Sequence, residues 1–210
     1  MMSVRLLVAL IVVSLLLVGC AQEQPAAPSV QASEQPVVLP STEPASTPEL
    51  PSVEVEQPKL LNFNKPDLPI VIKYYSNWDV AENPADDVLV SFTSPKETAL
   101  DAMRESLMVM VSNFSSSPVT LDEYTLMLNE ELNETIDDAE LLESKKTTIA
   151  GEQGWKLVYS GTVGNLRIKF MLVYTIQDDV LYDLTYNAEE SKYAEYLPIA
   201  KEMIDSFEIR

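Results

Sequence analysis

The sequence predicts an α+β domain, a mainly antiparallel sheet with helices against both faces, preceded by a secretory leader and a disordered tether. Three observations predict it. Segments around residues 106–111 and 168–174 are apolar on both strand faces, as expected where helices cover both sides of a sheet. Two stretches repeat apolar residues at helical spacing. Composition changes abruptly near residue 59, and every aromatic residue lies from Phe63 onward.

Arg5 is the only charge before Cys20 and precedes a mostly apolar run, Leu6 to Val18. A basic start and a short apolar stretch match a secretory signal. The run is too short to span a membrane, which takes about 20 residues for roughly 30 Å of hydrocarbon. It ends Leu17-Val18-Gly19-Cys20, a tetrapeptide that resembles the lipobox of prokaryotic lipoproteins. There the cysteine thiol accepts a diacylglyceryl group, and small residues before it admit the peptidase. Residues 1–19 are therefore expected to be a signal peptide. Cys20 is expected to be lipidated and to hold the chain on the outer face of the cell membrane.

Residues 21–58 contain eight prolines and six glutamates, with no basic residue, aromatic or glycine. Such a segment buries too little apolar surface to offset its conformational entropy. Residues 20–58 thus read as the lipidated cysteine and a Pro/Glu-rich disordered linker, and residues 59–210 as one domain.

Within the domain, Ile70, Ile72 and Tyr74 share one face of a first strand, and Val88, Val90 and Phe92 one face of a second. Ser106 to Val111 forms a third, with Met108 and Met110 on one face as core filling. Thr120-Leu121-Asp122-Glu123 is a capping-box pattern, followed by the stripe Leu121, Tyr124, Leu128 and Leu132. Leu141 to Ile149 forms a strand before a turn at Gly151-Glu152-Gln153-Gly154. Trp155, Leu157 and Tyr159 share one face of the next strand, which turns at Gly164-Asn165. A strand to Ile176 turns near Asp178-Asp179 into Val180, Tyr182, Leu184 and Tyr186 in alternation. The last helix carries Tyr193, Leu197, Ala200, Ile204 and Phe207, and Pro198 predicts that it starts or kinks there. Trp78 and Phe207 are expected to join sheet and helix.

Composition excludes several chemistries. The chain has no histidine, so histidine triads, histidine general bases and the usual zinc sites are absent. Its net charge is −19, and loss of residues 1–19 would remove only Arg5. That acidity disfavours nucleic acid and anionic lipid as ligands of the domain. Cys20 is the single cysteine, so no internal disulfide forms. Asp86-Asp87, Asp137-Asp138 and Asp178-Asp179 read as solvated turns, because a calcium site needs six to eight converging oxygens and no Asp-x-Asp-x-Asp-Gly loop is present. No Ser-x-x-Lys motif supports a serine nucleophile, and no cofactor motif is found. Asn113-Phe114-Ser115 and Asn133-Glu134-Thr135 fit the glycosylation sequon.

A set of short segments, in order, resembles the PsbP-like family, named for an extrinsic subunit of photosystem II. They are Tyr74-Tyr75-Ser76-Asn77-Trp78, Val90-Ser91-Phe92-Thr93-Ser94-Pro95, Thr120-Leu121-Asp122-Glu123-Tyr124, Tyr182 to Tyr186 and Ser206-Phe207-Glu208-Ile209. The resemblance spans about residues 68–210. It implies an α/β/α sandwich around a central antiparallel sheet, and non-enzymatic roles as subunits, assembly factors or lipid-anchored proteins. Metal ligation by histidine in that family has no counterpart here.

Together these readings predict a membrane-anchored extracytoplasmic lipoprotein whose domain is a non-catalytic binding or assembly module for a membrane or envelope protein. A small-ligand or cation receptor is the alternative, and a carboxylate-based envelope hydrolase a further one.

Overall fold

The computed structural model describes residues 57–98, 101 and 103–210. Its elements run β1 (Leu60–Asn64), β2 (Ile70–Tyr75), β3 (Asp79–Ala85), β4 (Val88–Thr93), β5 (Ser106–Asn113), α1 (Leu121–Thr135), β6 (Asp137–Ile149), β7 (Glu152–Val163), β8 (Leu166–Gln177), β9 (Val180–Glu189), α2 (Tyr193–Asp205) and β10 (Glu208–Ile209). The signal peptide, Cys20 and the linker through residue 56 lie outside the described residues.

Seven strands form one antiparallel sheet in the order β3-β4-β5-β9-β8-β7-β6, and β1-β2-β10 form a second. Alternation along β8 shows how the large sheet is used. Phe170, Leu172 and Tyr174 pack with Tyr124, Leu128 and Leu132 of α1. Met171 and Val173 turn to the opposite face, with Ala200 and Met203 of α2. Ile70 and Ile72 of the small sheet join that second face.

Local chemistry explains several elements directly. The capping box closes at both ends: Glu123 N–H donates to Thr120 Oγ1 at 3.2 Å, and Thr120 N–H donates to Glu123 Oε2 at 2.9 Å. The β7–β8 turn takes Gly164 at φ 63°, and the β8–β9 turn takes Asp178 and Asp179 at φ 50° and 60°.

Four local expectations are corrected. Val88 does not share a face with Val90 and Phe92: a register shift between Val88 and Val90 sends Val88 to the α1 side, and the others to the α2 side. One extra residue in a strand does this because side chains alternate with period two. The turn after β6 is the pair Ala150-Gly151, both at positive φ, and Gly154 lies inside β7. A start at Pro198, one of the two alternatives expected there, is overturned: the last helix starts at Tyr193 and contains Pro198 in its second turn. Proline removes one donor there, while Tyr193 is anchored in the core. Finally, β1, β3 and β10 are strands that periodicity did not predict. Strand β3, Asp-Val-Ala-Glu-Asn-Pro-Ala, is an edge with no buried residue, and Pro84 is tolerated there because an edge strand has an unpaired side.

Candidate functional site: an aromatic cleft between the small sheet and α2

An open cleft of about 340 Å³ is lined by Pro58, Tyr75, Asn77, Trp78, Pro95, Glu195, Tyr196 and Ile199. Three separate parts of the chain build it. The end of β2 supplies Tyr75, and the tight turn after it, closed by Trp78 N–H to Tyr75 O at 2.9 Å, supplies Asn77 and Trp78. Pro58 is held beside that turn by Ser76 N–H to Lys59 O at 2.8 Å and Lys59 N–H to Ser76 Oγ at 3.0 Å. Pro95 follows β4, and the first turns of α2 present Glu195, Tyr196 and Ile199.

The aromatic walls are fixed by contacts behind them. Trp78 is 4% exposed, and its ring meets Tyr196 edge-on at 6.4 Å and 62°. Trp78 thus joins sheet and helix as expected, yet it also faces the cleft. Tyr75 OH donates to Glu202 of α2, and Tyr196 OH donates to Glu97 Oε1 at 2.8 Å. Lys192 clamps Glu97 at 2.6 Å and lies 3.5 Å from Glu195.

The rim is acidic. Bonds from Lys192 and then Tyr196 hold the Glu97 carboxyl below its usual range. Burial first, then the bond to Glu97 and the charges of Glu105, Glu97 and Glu195, push the Tyr196 hydroxyl up. The bond to Glu202, more than burial, does the same for Tyr75. Leu60 pairs with Tyr75 across β1 and β2 and is 40% exposed, so apolar surface continues from the cleft onto β1.

A second polar cluster is sealed beneath α1. Asp183, Thr185 and Asn187 point from β9 to that side and are fully buried. Tyr174 OH donates to Thr125 Oγ1 at 2.8 Å, and Thr125 passes a bond to Leu121 O at 2.7 Å. Burial pushes the Asp183 carboxyl up to about 7, opposed by its bond from Thr185. Asp183 Oδ2, Tyr124 OH and both side-chain polar atoms of Asn187 are unpaired among the described residues. No solvent reaches Asp183.

The residues weighed from sequence are distributed as follows. Cys20 lies outside the described residues. Met108 and Met110 sit in the core beneath α1. The three Asp-Asp pairs lie at strand ends, with Asp87 and Asp138 at positive φ. Asn113 is exposed and accepts from Ser115 N–H at 2.8 Å, and Asn133 is exposed on α1, donating to Asn129 O at 2.7 Å. Among the described residues no group of three acidic or sulfur ligands could hold a metal. Sequence reading missed the cleft itself. Tyr75 and Trp78 were legible only as part of a family-like segment, and nothing local tied them to Pro95, Glu195 or Tyr196.

No family model matches the sequence, and no curated protein matches it. Solved structures do. The solution structure of cyanobacterial PsbP (CyanoP) from Synechocystis sp. PCC 6803 matches with TM-score 0.55 and 17% identity, over 75% of this chain and 96% of that one. LpqN of Mycobacterium tuberculosis, involved in cell envelope biogenesis, matches with TM-score 0.55 and 12% identity, over 73% and 90%. The Ran-binding protein Mog1p of Saccharomyces cerevisiae matches with TM-score 0.51 and 10% identity, over 73% and 96%. At these identities the likeness shows the fold: a sheet-rich, PsbP-like domain with two helices.

Proposed function

We propose that this chain is an extracytoplasmic lipoprotein whose PsbP-like domain, residues 59–210, is a non-catalytic binding or assembly module for a membrane or envelope protein. In this reading residues 1–19 are removed, Cys20 carries the lipid, and residues 20–58 link it to the domain. The two helices on opposite faces of the large sheet then form the outer layers of an α/β/α sandwich.

The observation that carries the reading is the open, aromatic-walled cleft continuous with exposed Leu60. Aromatic side chains in a partly desolvated pocket are the usual anchors of protein interfaces. The lining contains one carboxylate, Glu195, where a two-carboxylate hydrolase would place a facing pair. Neighbours described as Ran-binding and as involved in envelope biogenesis support the binding reading by analogy of fold only. A small-ligand receptor is the second reading, because about 340 Å³ lies at the low end of ligand pockets.

The test uses the full chain in its own membrane. A photo-reactive residue at position 77 should cross-link a membrane or envelope protein, and one at position 133 on α1 should not. Leu60→Glu should weaken that capture without lowering the melting temperature. Equal capture from both positions, or indifference to Leu60→Glu, would sink the cleft as the interface. Cys20→Ser should release the chain from the membrane fraction or leave it uncleaved, and mass spectrometry of an unmodified wild-type Cys20 would remove the anchor.

A further inference from the structure

We infer, resting on the cleft as the binding surface, that its occupant is an extended proline-containing segment of a partner protein that carries lysine or arginine. Three features point to this chemistry together. The walls are three aromatics, Tyr75, Trp78 and Tyr196, with Pro58, Pro95 and Ile199 between them. Flat rings set edge to face at 62° make a notch that a rigid pyrrolidine ring fills well. The lining also holds two donor-bearing side chains side by side, the Trp78 indole and the Asn77 amide. A polyproline II chain suits such donors, because its carbonyls make no internal hydrogen bonds. Such a chain also loses little conformational freedom on docking, which suits a shallow cleft.

Charge supplies the third feature. Glu195 lines the cleft with its side chain 63% exposed, and its ion pair with Lys192 is long, at 3.5 Å. Lys192 is engaged more closely by Glu97, at 2.6 Å. Glu202 stands behind Tyr75. The rim therefore presents carboxylate to an incoming side chain, and the chain's net charge of −19 steers cations toward it and repels anions. A lysine or arginine entering over the Tyr196 ring would gain both the Glu195 carboxylate and a cation–π contact. A phosphorylated or acidic segment would meet like charge.

The full chain carrying Trp155→Phe leaves Trp78 as the single tryptophan and hence the fluorescent reporter. It is titrated with three peptides: repeats of Pro-Pro-Arg, of Pro-Pro-Glu and of Gly-Ser-Arg. The Pro-Pro-Arg peptide is expected to shift Trp78 emission saturably, and the other two to bind about tenfold more weakly or not at all. Glu195→Gln and raised salt should each weaken the Pro-Pro-Arg peptide several-fold. Equal binding of Pro-Pro-Glu overturns the charge assignment, and equal binding of Gly-Ser-Arg overturns the proline assignment. If no peptide binds while position 77 still cross-links a partner, or if it cross-links a second copy of this chain, the occupant assigned here is wrong although the cleft remains an interface. Loss of specific cross-linking from position 77 removes the cleft itself.

Discussion

Thr185 Oγ1 donates to Asp183 Oδ1 at 2.8 Å, joining two fully buried side chains on the same face of β9. The bond satisfies one carboxyl oxygen and leaves Oδ2 without a partner among the described residues. Desolvation outweighs this single donor, so the carboxyl holds its proton up to about pH 7 in the folded chain, against 3.8 as its ordinary value.

The pH consequence has a definite sign. The folded state binds a proton more tightly than the unfolded state does, so stability falls as pH rises. The loss begins near pH 4, where the unfolded chain releases its proton, and is complete above about pH 7. Its size is on the order of 4 kcal/mol at about 1.4 kcal/mol per pH unit. Asp183→Asn removes the titration and keeps the shape. Urea unfolding of both proteins should show the variant ahead at pH 8, with the gap closing toward pH 4. A constant difference across that range would mean that Asp183 is ionised in the fold or relieved by a partner.

The helix start gives a second, more local expectation. Thr120 and Glu123 satisfy each other's backbone donors at the start of α1, and the bonds from Thr120 hold Glu123 below its usual range. Thr120→Ala should lower stability by about 1 kcal/mol, the ordinary worth of an N-cap side chain. Because the backbone bond remains possible, the Glu123 carboxyl should rise only part of the way in an NMR titration. A full return to the ordinary value would mean that the hydroxyl, not the backbone N–H, carries the effect.

These local motifs were legible because their partners lie three or four residues apart. The hairpins at Gly164 and Asp178-Asp179 are of the same kind, as is the alternation of Tyr182, Leu184 and Tyr186. What escaped depends on partners far along the chain. Strand β3 is fixed by pairing with β4 and shows no apolar face of its own. The face of Val88 is decided by a bulge opposite β5. The cleft unites residues from positions 58, 75–78, 95 and 195–199, and only sheet register brings them together. The charge and proline content that frame its occupant were visible, but not where they converge.

Phe207 tests the packing of the α2 face. It follows α2 rather than belonging to it, with its N–H bonded to Ile204 O at 3.0 Å, and is 2% exposed. Its ring lies 6.3 Å from that of Tyr182 on β9. Truncation of a buried aromatic to alanine costs about 3–5 kcal/mol. For a domain near 150 residues, about 2–4 °C is lost per kcal/mol, so Phe207→Ala should lower the melting temperature by roughly 10 °C. A change under about 2 °C would place the ring at the surface instead.

Gly154 and Gly151 separate two reasons for glycine in one hairpin. Gly151 sits in the β6–β7 turn at φ 84°, with nothing within 4 Å of where a Cβ would stand. Alanine there meets only backbone strain, about 1 kcal/mol. Gly154 has ordinary strand geometry, but a Cβ would stand 2.6 Å from Tyr174 O and 2.8 Å from Ile149 Cγ2. The Ile149 methyl can turn aside. The Tyr174 carbonyl cannot, because it belongs to β8, which pairs with β7 at the register Gly154 to Thr175. Relief therefore requires the two strands to part or β7 to bulge, and Tyr174 is also the residue whose ring meets Tyr124 of α1 at 5.1 Å. Gly154→Ala should cost more than Gly151→Ala by at least about 1 kcal/mol, in the range of overpacked cores. It should also raise amide exchange around Tyr174, as Gly151→Ala should not. Equal melting temperatures for the two variants would show that the β7–β8 approach yields freely to an added methyl at Gly154.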